Sequence, residues 1–167
     1  MTDLAGAVLR LLKRRGQTLA TAESLTGGLI GELLTGVPGA SAVYVGGAIT
    51  YATRLKASLA GVDEQTLERF GPVAAPTAEQ MASGIAQRCT ADWGLSATGV
   101  AGPDPQEGHC VGQVFVGVAR PADGFVQVVE LRLTGGRDEI RRGAADAALE
   151  LLQQTLGMEH AGPGVED

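Results

Sequence analysis

The sequence predicts a single layered α/β domain, in which a central mixed sheet of about five strands is flanked by helices. First, the chain has 167 residues and 44% hydrophobic content, which suits one compact domain with a full core. Second, segments with apolar residues at helical spacing alternate with short runs rich in Val and Ile, as in layered α/β folds. Third, only the short segment 121–124, which ends in Asp-Gly, separates the last two runs. This favours an antiparallel hairpin.

The N-terminal part of the chain predicts a helix, a strand and a second helix. The helix over residues 3–15 has an apolar stripe and ends in three basic residues followed by Gly16, as helix C-termini prefer. Residues 18–21 form a short apolar run that fits a buried strand. A second helical pattern follows Ser24 and ends at Gly36. Ser24 is therefore expected in a strand-to-helix turn.

The middle of the chain predicts one strand and two short helices. Residues 43–52 are rich in Val, Ile and Tyr with glycines among them, which predicts a strand whose backbone passes close to a neighbour. A helix capped by Thr53 contains Lys56 and ends at Gly61, and residues 63–70 form another capped helix.

The C-terminal half predicts the rest of the sheet and its covering helices. In order, these elements are a helix that begins at Pro76 and carries Met81, Ile85 and Cys89 on one side, a strand over 95–100, a polar loop over 103–111, strands over 114–118 and 125–133, and a helix over 137–156. No repeat or linker divides residues 1–156, so they are expected to form one domain. The acidic tail 157–167 contains Gly and Pro and is expected to be flexible.

The composition excludes several classes of protein. With 13 basic and 19 acidic residues the formal charge is −6, and no long basic cluster points to a nucleic-acid surface. Two cysteines without C-x-x-C spacing give neither a disulfide framework nor a metal signature. No apolar stretch approaches the ~20 residues of a membrane span. We therefore expect a cytoplasmic protein without a membrane, nucleic-acid or metal partner.

The turn after the first strand is the leading candidate for a reactive site. Residues 21–28 place three hydroxyl groups and two glycines before a helix, where free N–H groups and the helix dipole favour an anion or a developing oxyanion. This predicts Ser24 as a nucleophile, with Thr26, Gly27 and Gly28 in contact with substrate. The alternative is that Ser24 only caps the helix.

A nucleophilic serine needs a base, and the two histidines are poorly suited. His160 lies in the expected tail, and His109 lies in a loop without an assignable carboxylate partner, so a Ser-His-Asp triad is not expected. Lys56 and Tyr51 are the other candidates, because a desolvated lysine can lose its proton near neutral pH and a tyrosine hydroxyl can relay one. The alternatives are a solvated helix lysine and a core tyrosine.

Two further segments contain candidate substrate-binding groups. The strand that includes Thr98 ends in a glycine turn, which can present the Thr98 hydroxyl and the backbone at Gly99 and Gly102 to a carbonyl oxygen. An ordinary strand-ending turn is the alternative. Arg137 and Arg141 open the last helix, where the dipole favours acids, so an anionic ligand or a nearby carboxylate is expected to offset them. Ordinary surface placement remains the alternative.

Four motifs, taken together and in this order, resemble the CinA C-terminal domain family, the nicotinamide-nucleotide amidohydrolases. They are Ala22-Glu-Ser-Leu-Thr-Gly-Gly28, Gly47-Ala-Ile-Thr-Tyr51 with Lys56 and Gly61-Val62 behind it, Thr98-Gly-Val-Ala-Gly-Pro-Asp104, and Val111-Gly-Gln-Val-Phe-Val-Gly-Val118. The resemblance covers about residues 4–156. Each motif alone is weak, whereas four in order are highly specific.

The resemblance implies an α/β domain that converts nicotinamide mononucleotide and water to nicotinic acid mononucleotide and ammonia, without a redox cofactor or a metal. The family's nucleophilic serine falls on Ser24, its tyrosine on Tyr51 and its lysine on Lys56. Its hydroxyl residue before the glycine turn falls on Thr98, and its arginine falls on Arg137. Small enzymes of this kind often form symmetric dimers, so a homodimer is expected.

The chain departs from the family's usual pattern at four places. Leu25 stands where a cysteine is usual, and the segments 53–56, 71–74 and 105–110 differ from the usual residues, although Lys56 is kept. These departures leave two alternative functions. One is a nucleotide-binding regulatory module of the same fold without turnover, and the other is a hydrolase of a different small amide.

Overall fold

The computed structural model describes residues 3–158, which contain one five-stranded sheet and six α-helices. The strands are β1 (Leu19–Glu23), β2 (Tyr44–Ile49), β3 (Trp93–Gly99), β4 (Gln113–Arg120) and β5 (Phe125–Arg132). The helices are α1 (Leu4–Arg15), α2 (Leu29–Thr35), α3 (Thr53–Ala60), α4 (Glu64–Phe70), α5 (Ala75–Arg88) and α6 (Arg137–Met158).

The sheet is mixed, and its strand order is β2-β1-β3-β4-β5. The central strand pair β1 and β3 is parallel, and β2 is parallel to β1 on the other side. β4 runs antiparallel to both β3 and β5, which confirms the predicted mixed sheet and hairpin. Because parallel strands end at the same edge of a sheet, the residues that follow β1, β2 and β3 come together there.

Helices cover both faces of the sheet. One face packs against α1, α2 and α6, and the core between them includes Leu12, Trp93 and Leu152. The other face packs against α5, with α3 beside it, and this smaller core includes Ala20 and Met81. Side chains therefore alternate between two buried layers along β1, as expected of a strand that is buried on both faces.

The start of α2 differs from the prediction. β1 continues to Glu23, beyond the predicted end at residue 21, so Ser24 directly follows the strand and lies in the predicted strand-to-helix turn. α2 begins only at Leu29, because Gly27 and Gly28 have φ of +59° and +101° and interrupt the helical path. Glycine adopts these angles without the steric cost that other residues meet. A tight turn of five residues, 24–28, therefore separates β1 from α2.

The end of α6 also differs from the prediction. The helix continues through Met158, two residues into the segment predicted as a tail. The remaining part of that predicted tail, residues 159–167, lies outside the described residues. The other elements lie where the sequence predicts them, with shifted ends.

Glycines allow two very close backbone contacts in the core. A Cβ atom on Gly47 in β2 would overlap the carbonyl oxygen of Thr21 in β1, which confirms the predicted close approach of this strand. A Cβ atom on Gly94 in β3 would overlap the carbonyl oxygen of Ala82 in α5. α5 therefore lies closer to the sheet than any side chain at position 94 permits.

Within residues 3–158 the structure bears on membrane spans, metal sites and the state of the cysteines. None of the helices there is both long and apolar enough to cross a membrane. No group of three His, Cys, Asp or Glu side chains in that range is placed to hold a metal ion. Both cysteines, Cys89 and Cys110, are free thiols.

We expect Gly94→Ala to destabilise the fold, because the added methyl group forces α5 away from β3. Overpacking of this kind typically costs roughly 1–3 kcal/mol, which lowers Tm by several degrees. Gly157→Ala is the matched control, since no atom lies within 4 Å of the added Cβ and alanine favours the helix by roughly 1 kcal/mol. Thermal unfolding followed by circular dichroism measures both. Equal Tm values for the two variants would contradict the close contact.

Candidate active site

The site begins with a buried carboxylate at the end of β1. Glu23 is 2% exposed, and its two oxygens accept hydrogen bonds from the N–H groups of Gly28, Ile30 and Gly31 at distances of 2.8–3.0 Å. A negative side chain at this position is favoured by the helix dipole of α2. The N–H groups predicted to favour an anion or a developing oxyanion therefore bind a carboxylate of the protein itself.

Ser24 follows Glu23 and is held by the backbone on both sides. Its N–H donates to the carbonyl of Ala97 in β3 at 2.9 Å, and its own carbonyl accepts from Gly27 at 3.1 Å. The N-cap of α2 is Gly28, so the alternative that Ser24 caps the helix is wrong. The Ser24 hydroxyl is left free to interact with Lys56.

Lys56 lies in α3 and is 1% exposed, so the alternative of a solvated surface lysine is wrong. Its Nζ donates to Ser24 Oγ at 3.0 Å and to the carbonyl of Thr50 at 2.8 Å. Burial lowers the pKa of Lys56 to about 8, and the negative charge of Glu107 opposes part of that shift. A large share of Lys56 is therefore neutral slightly above physiological pH, as a general base must be.

Tyr51 is 61% exposed, which rules out the alternative that it is a core residue. Its hydroxyl accepts a hydrogen bond from Arg137 Nη2 at 3.1 Å, and Arg137 Nη1 donates to the carbonyl of Gly102 at 2.6 Å. Within residues 3–158 no hydrogen bond joins Tyr51 to Ser24 or Lys56. Tyr51 therefore orients Arg137 at the mouth of the site in this arrangement.

Thr98 faces the site, but its proton is already donated elsewhere. It is 1% exposed, and Oγ1 donates to the carbonyl of Pro72 at 2.6 Å. A hydroxyl has only one proton to donate. The prediction that Thr98 donates a hydrogen bond to an oxyanion is therefore wrong for this geometry, and its role is to join β3 to the segment before α5.

These side chains surround one concave pocket at the edge where the parallel strands end. Its lining residues come from the end of β3, from the segments after β1, β2 and β3, from α3, from the segment between α4 and α5, and from the start of α6. They are Ser24, Leu25, Tyr51, Thr53, Lys56, Pro72, Val73, Thr98, Gly99, Val100, Ala101, Gly102, Asp104, Gln106 and Arg137. The pocket thus brings together Ser24, Tyr51, Lys56, Thr98 and Arg137, with the backbone at Gly99 and Gly102.

Four predicted substrate contacts do not line this pocket: Thr26, Gly27, Gly28 and Arg141. Arg141 instead donates from Nε to the carbonyl of Leu25 and from Nη2 to that of Thr26, both at 3.0 Å. Its Nη1 also lies 3.6 Å from a carboxylate oxygen of Asp138. Arg141 therefore braces the turn that contains Ser24.

Sequence reasoning missed several residues at the site. Glu23 and Asp104 lie inside quoted motifs, but no role followed from their residue type alone. Gln106 belongs to the polar loop, whose position beside the pocket cannot be read from its composition. His109, by contrast, hydrogen bonds Gln113 Oε1 at 2.9 Å and does not line the pocket.

Sequence comparison places nearly the whole chain in one family. Residues 1–156 match the CinA C-terminal domain. A CinA-like protein of Frankia casuarinae is 50% identical over 154 residues, which cover 92% of this chain and 35% of that protein. A CinA-like protein of Thermosynechococcus vestitus is 48% identical over 156 residues, which cover 92% of this chain and 37% of that protein. The chain thus spans about a third of the length of these relatives.

Two solved structures share the fold over their full length. The competence/damage inducible protein CihA from Agrobacterium tumefaciens is 36% identical with a TM-score of 0.85, covering 94% of this chain and 97% of that chain. A CinA superfamily protein from Klebsiella pneumoniae is 27% identical with a TM-score of 0.89, covering 95% and 99%. Sequence and fold agree, and the chain belongs to the CinA C-terminal domain family.

Proposed function

We propose that this protein is an amidohydrolase that converts nicotinamide mononucleotide and water to nicotinic acid mononucleotide and ammonia. The observation that supports this most directly is the 3.0 Å hydrogen bond between Lys56 Nζ and Ser24 Oγ, made by a lysine that is 1% exposed. A buried lysine beside a serine supplies the base that serine chemistry needs without a histidine. Membership in the CinA C-terminal domain family supports the same reaction.

Acyl transfer begins with the neutral form of Lys56. The neutral amine keeps an N–H group for the Thr50 carbonyl and turns its lone pair toward the Ser24 hydroxyl. It takes the serine proton while Ser24 Oγ bonds to the carboxamide carbon. Lys56 then returns that proton to the departing nitrogen, and the C–N bond breaks to release ammonia. A water molecule activated by the same amine hydrolyses the resulting ester and restores Ser24.

The negative charge that develops on the carboxamide oxygen needs donors close to the nucleophile. The N–H groups of Leu25 and Thr26 directly follow Ser24 and donate no hydrogen bond to any of residues 3–158. Leu25 also lines the pocket. Backbone N–H groups next to a nucleophile can form an oxyanion hole, so we assign this role to the N–H group of the pocket residue Leu25 in place of Thr98.

Arg137 supplies a cation for the far end of the substrate. Its guanidinium lies at the pocket mouth, held by Tyr51 and the Gly102 carbonyl. Among residues 3–158, no carboxylate forms an ion pair with it. A guanidinium in this setting suits a phosphate group, which is the anionic end of nicotinamide mononucleotide.

The direct test is ammonia release by the purified protein from nicotinamide mononucleotide, compared with nicotinamide riboside and free nicotinamide. Turnover of the mononucleotide at the highest kcat/KM supports the proposal. Faster turnover of another amide would make the protein a hydrolase of that amide. Binding of the mononucleotide without any turnover would favour the regulatory module and overturn the proposal.

Ser24→Ala is expected to remove amidase activity and leave the fold intact. Loss of a catalytic nucleophile lowers kcat by a factor of roughly 10³ or more, whereas no helix cap is lost because Gly28 is the N-cap. Ammonia release and thermal unfolding measure the two effects. Ser41→Ala removes an exposed hydroxyl and serves as the control with unchanged activity. A Ser24→Ala protein that keeps a tenth of the activity would exclude Ser24 as the nucleophile.

The pH dependence of kcat/KM is expected to follow the titration of Lys56. The base must be neutral, and its pKa is about 8, so activity should rise with pH and reach half its plateau near that value. Lys56→Arg keeps the charge but cannot lose its proton near neutral pH, so it should be as inactive as Lys56→Ala. Substantial activity in the arginine variant would mean that Lys56 contributes only its charge.

Arg137→Ala is expected to raise KM for nicotinamide mononucleotide by roughly tenfold or more, because a hydrogen-bonded charge pair with the phosphate is lost. KM for nicotinamide riboside, which has no phosphate, should change little. Arg142→Ala removes an exposed arginine from the same helix and is the control. Equal effects on the two substrates would show that Arg137 orders the site instead of binding phosphate.

A further inference from the structure

The loop over residues 103–111 ends in a tight hairpin beside the pocket. Gln106 and His109 exchange two backbone hydrogen bonds of 3.1 and 2.8 Å. The two residues between them, Glu107 and Gly108, have φ of +49° and +80°. Positive φ at both central positions defines the type I′ turn of two-residue hairpins. The turn tip therefore has a defined shape, and Gln106 within it lines the pocket.

Glu107 is an unusual residue for the first central position of this turn. Asn, Asp and Gly are preferred there, because other side chains are strained at positive φ. Strain of this kind tends to persist at functional sites. The choice of glutamate therefore needs a reason other than turn formation.

The side chain of Glu107 extends from the hairpin toward the segment before α5. Its Oε2 atom lies 3.8 Å from the position that a Cβ atom on Gly71 would occupy, and Gly71 directly precedes the pocket residues Pro72 and Val73. Its charge also acts on Lys56, which contacts the nucleophile. The carboxylate thus lies beside the segment that contributes Pro72 and Val73 to the pocket.

The Glu107 carboxylate has no partner among the side chains that the structure describes. Within residues 3–158 Glu107 forms no ion pair and no side-chain hydrogen bond, and the residue is exposed. Arg137, which lines the pocket, is hydrogen-bonded to Tyr51 and Gly102 instead. A bound molecule with a positive group near the reacting amide would meet the unpaired charge.

We propose that Glu107 is a specificity-determining residue, which favours carboxamides on a positively charged ring over carboxamides on a neutral ring. This inference rests on the proposed amidohydrolase function and names a residue that favours its cationic substrate. The carboxylate attracts the charged ring, and it also offsets the repulsion that the ring meets while Lys56 is protonated. A neutral ring gains nothing from Glu107.

The test compares two forms of one nucleotide. Nicotinamide mononucleotide has a cationic pyridinium ring, whereas its reduced dihydro form has a neutral ring and the same ribose phosphate. Dissociation constants and kcat/KM for both are measured with the wild-type protein, Glu107→Gln and the control Glu79→Gln, which removes an exposed carboxylate from α5. Each substrate is compared with itself across proteins, so the lower reactivity of the reduced amide cancels.

In Glu107→Gln the preference for the oxidised nucleotide is expected to fall about two- to fivefold, the range measured for exposed charge pairs. The reduced nucleotide should bind as before, and Glu79→Gln should change neither. The loss should also shrink at high salt, because screening weakens exposed charges.

The other outcomes overturn specific claims. An unchanged preference, or an equal loss for both nucleotides, overturns the role of Glu107 in specificity. Charge-selective binding that depends on Glu107 but occurs without turnover overturns the proposed amidohydrolase function and leaves this inference standing. Failure to bind either nucleotide overturns both.

Discussion

The carboxylate of Glu23 joins the end of β1 to the start of α2, and the position of Ser24 depends on it. Burying a carboxylate at 2% exposure is costly unless its oxygens are hydrogen-bonded. Three N–H groups satisfy them here, and the positive end of the helix dipole adds to the gain. Because Ser24 follows Glu23 directly, it cannot shift without breaking these bonds. Arg141 holds the same turn from the opposite side through two carbonyl groups.

Backbone hydrogen bonds then bring the base to the nucleophile. The N–H of Ser24 continues the pairing of β1 with β3 by one residue, and the N–H of Thr50 continues the pairing with β2 by donating to the Glu23 carbonyl at 2.8 Å. α3 begins three residues after Thr50 and places Lys56 over the strand ends. Ser24 directly follows a strand and Lys56 lies in a helix, so neither is on a free loop. The distance between Ser24 Oγ and Lys56 Nζ is therefore well defined.

How much of this site the sequence predicts depends on how far apart in the chain the interacting residues lie. Ser24 and Lys56 could be singled out because a turn motif and a residue type identify a nucleophile and a base. The role of Thr98 cannot be read from the sequence, because the acceptor of its hydroxyl, Pro72, is 26 residues away and has no sequence signal. The sheet was predictable from local patterns, since strand burial and hairpin turns are read within a few residues. Contacts between distant segments require the folded chain.

The burial of Lys56 also links the chemistry of the site to the stability of the fold. An unfolded lysine titrates near 10.5, whereas in the folded protein the pKa is about 8. Between these values the unfolded chain binds more protons, so this group makes folding more favourable as pH rises from about 8 to 10.5 and gives a constant penalty below 8. The difference corresponds to about 3 kcal/mol. The protein therefore keeps this base at a cost in folding stability. That cost is largest below pH 8, where Lys56 is protonated and cannot accept a proton.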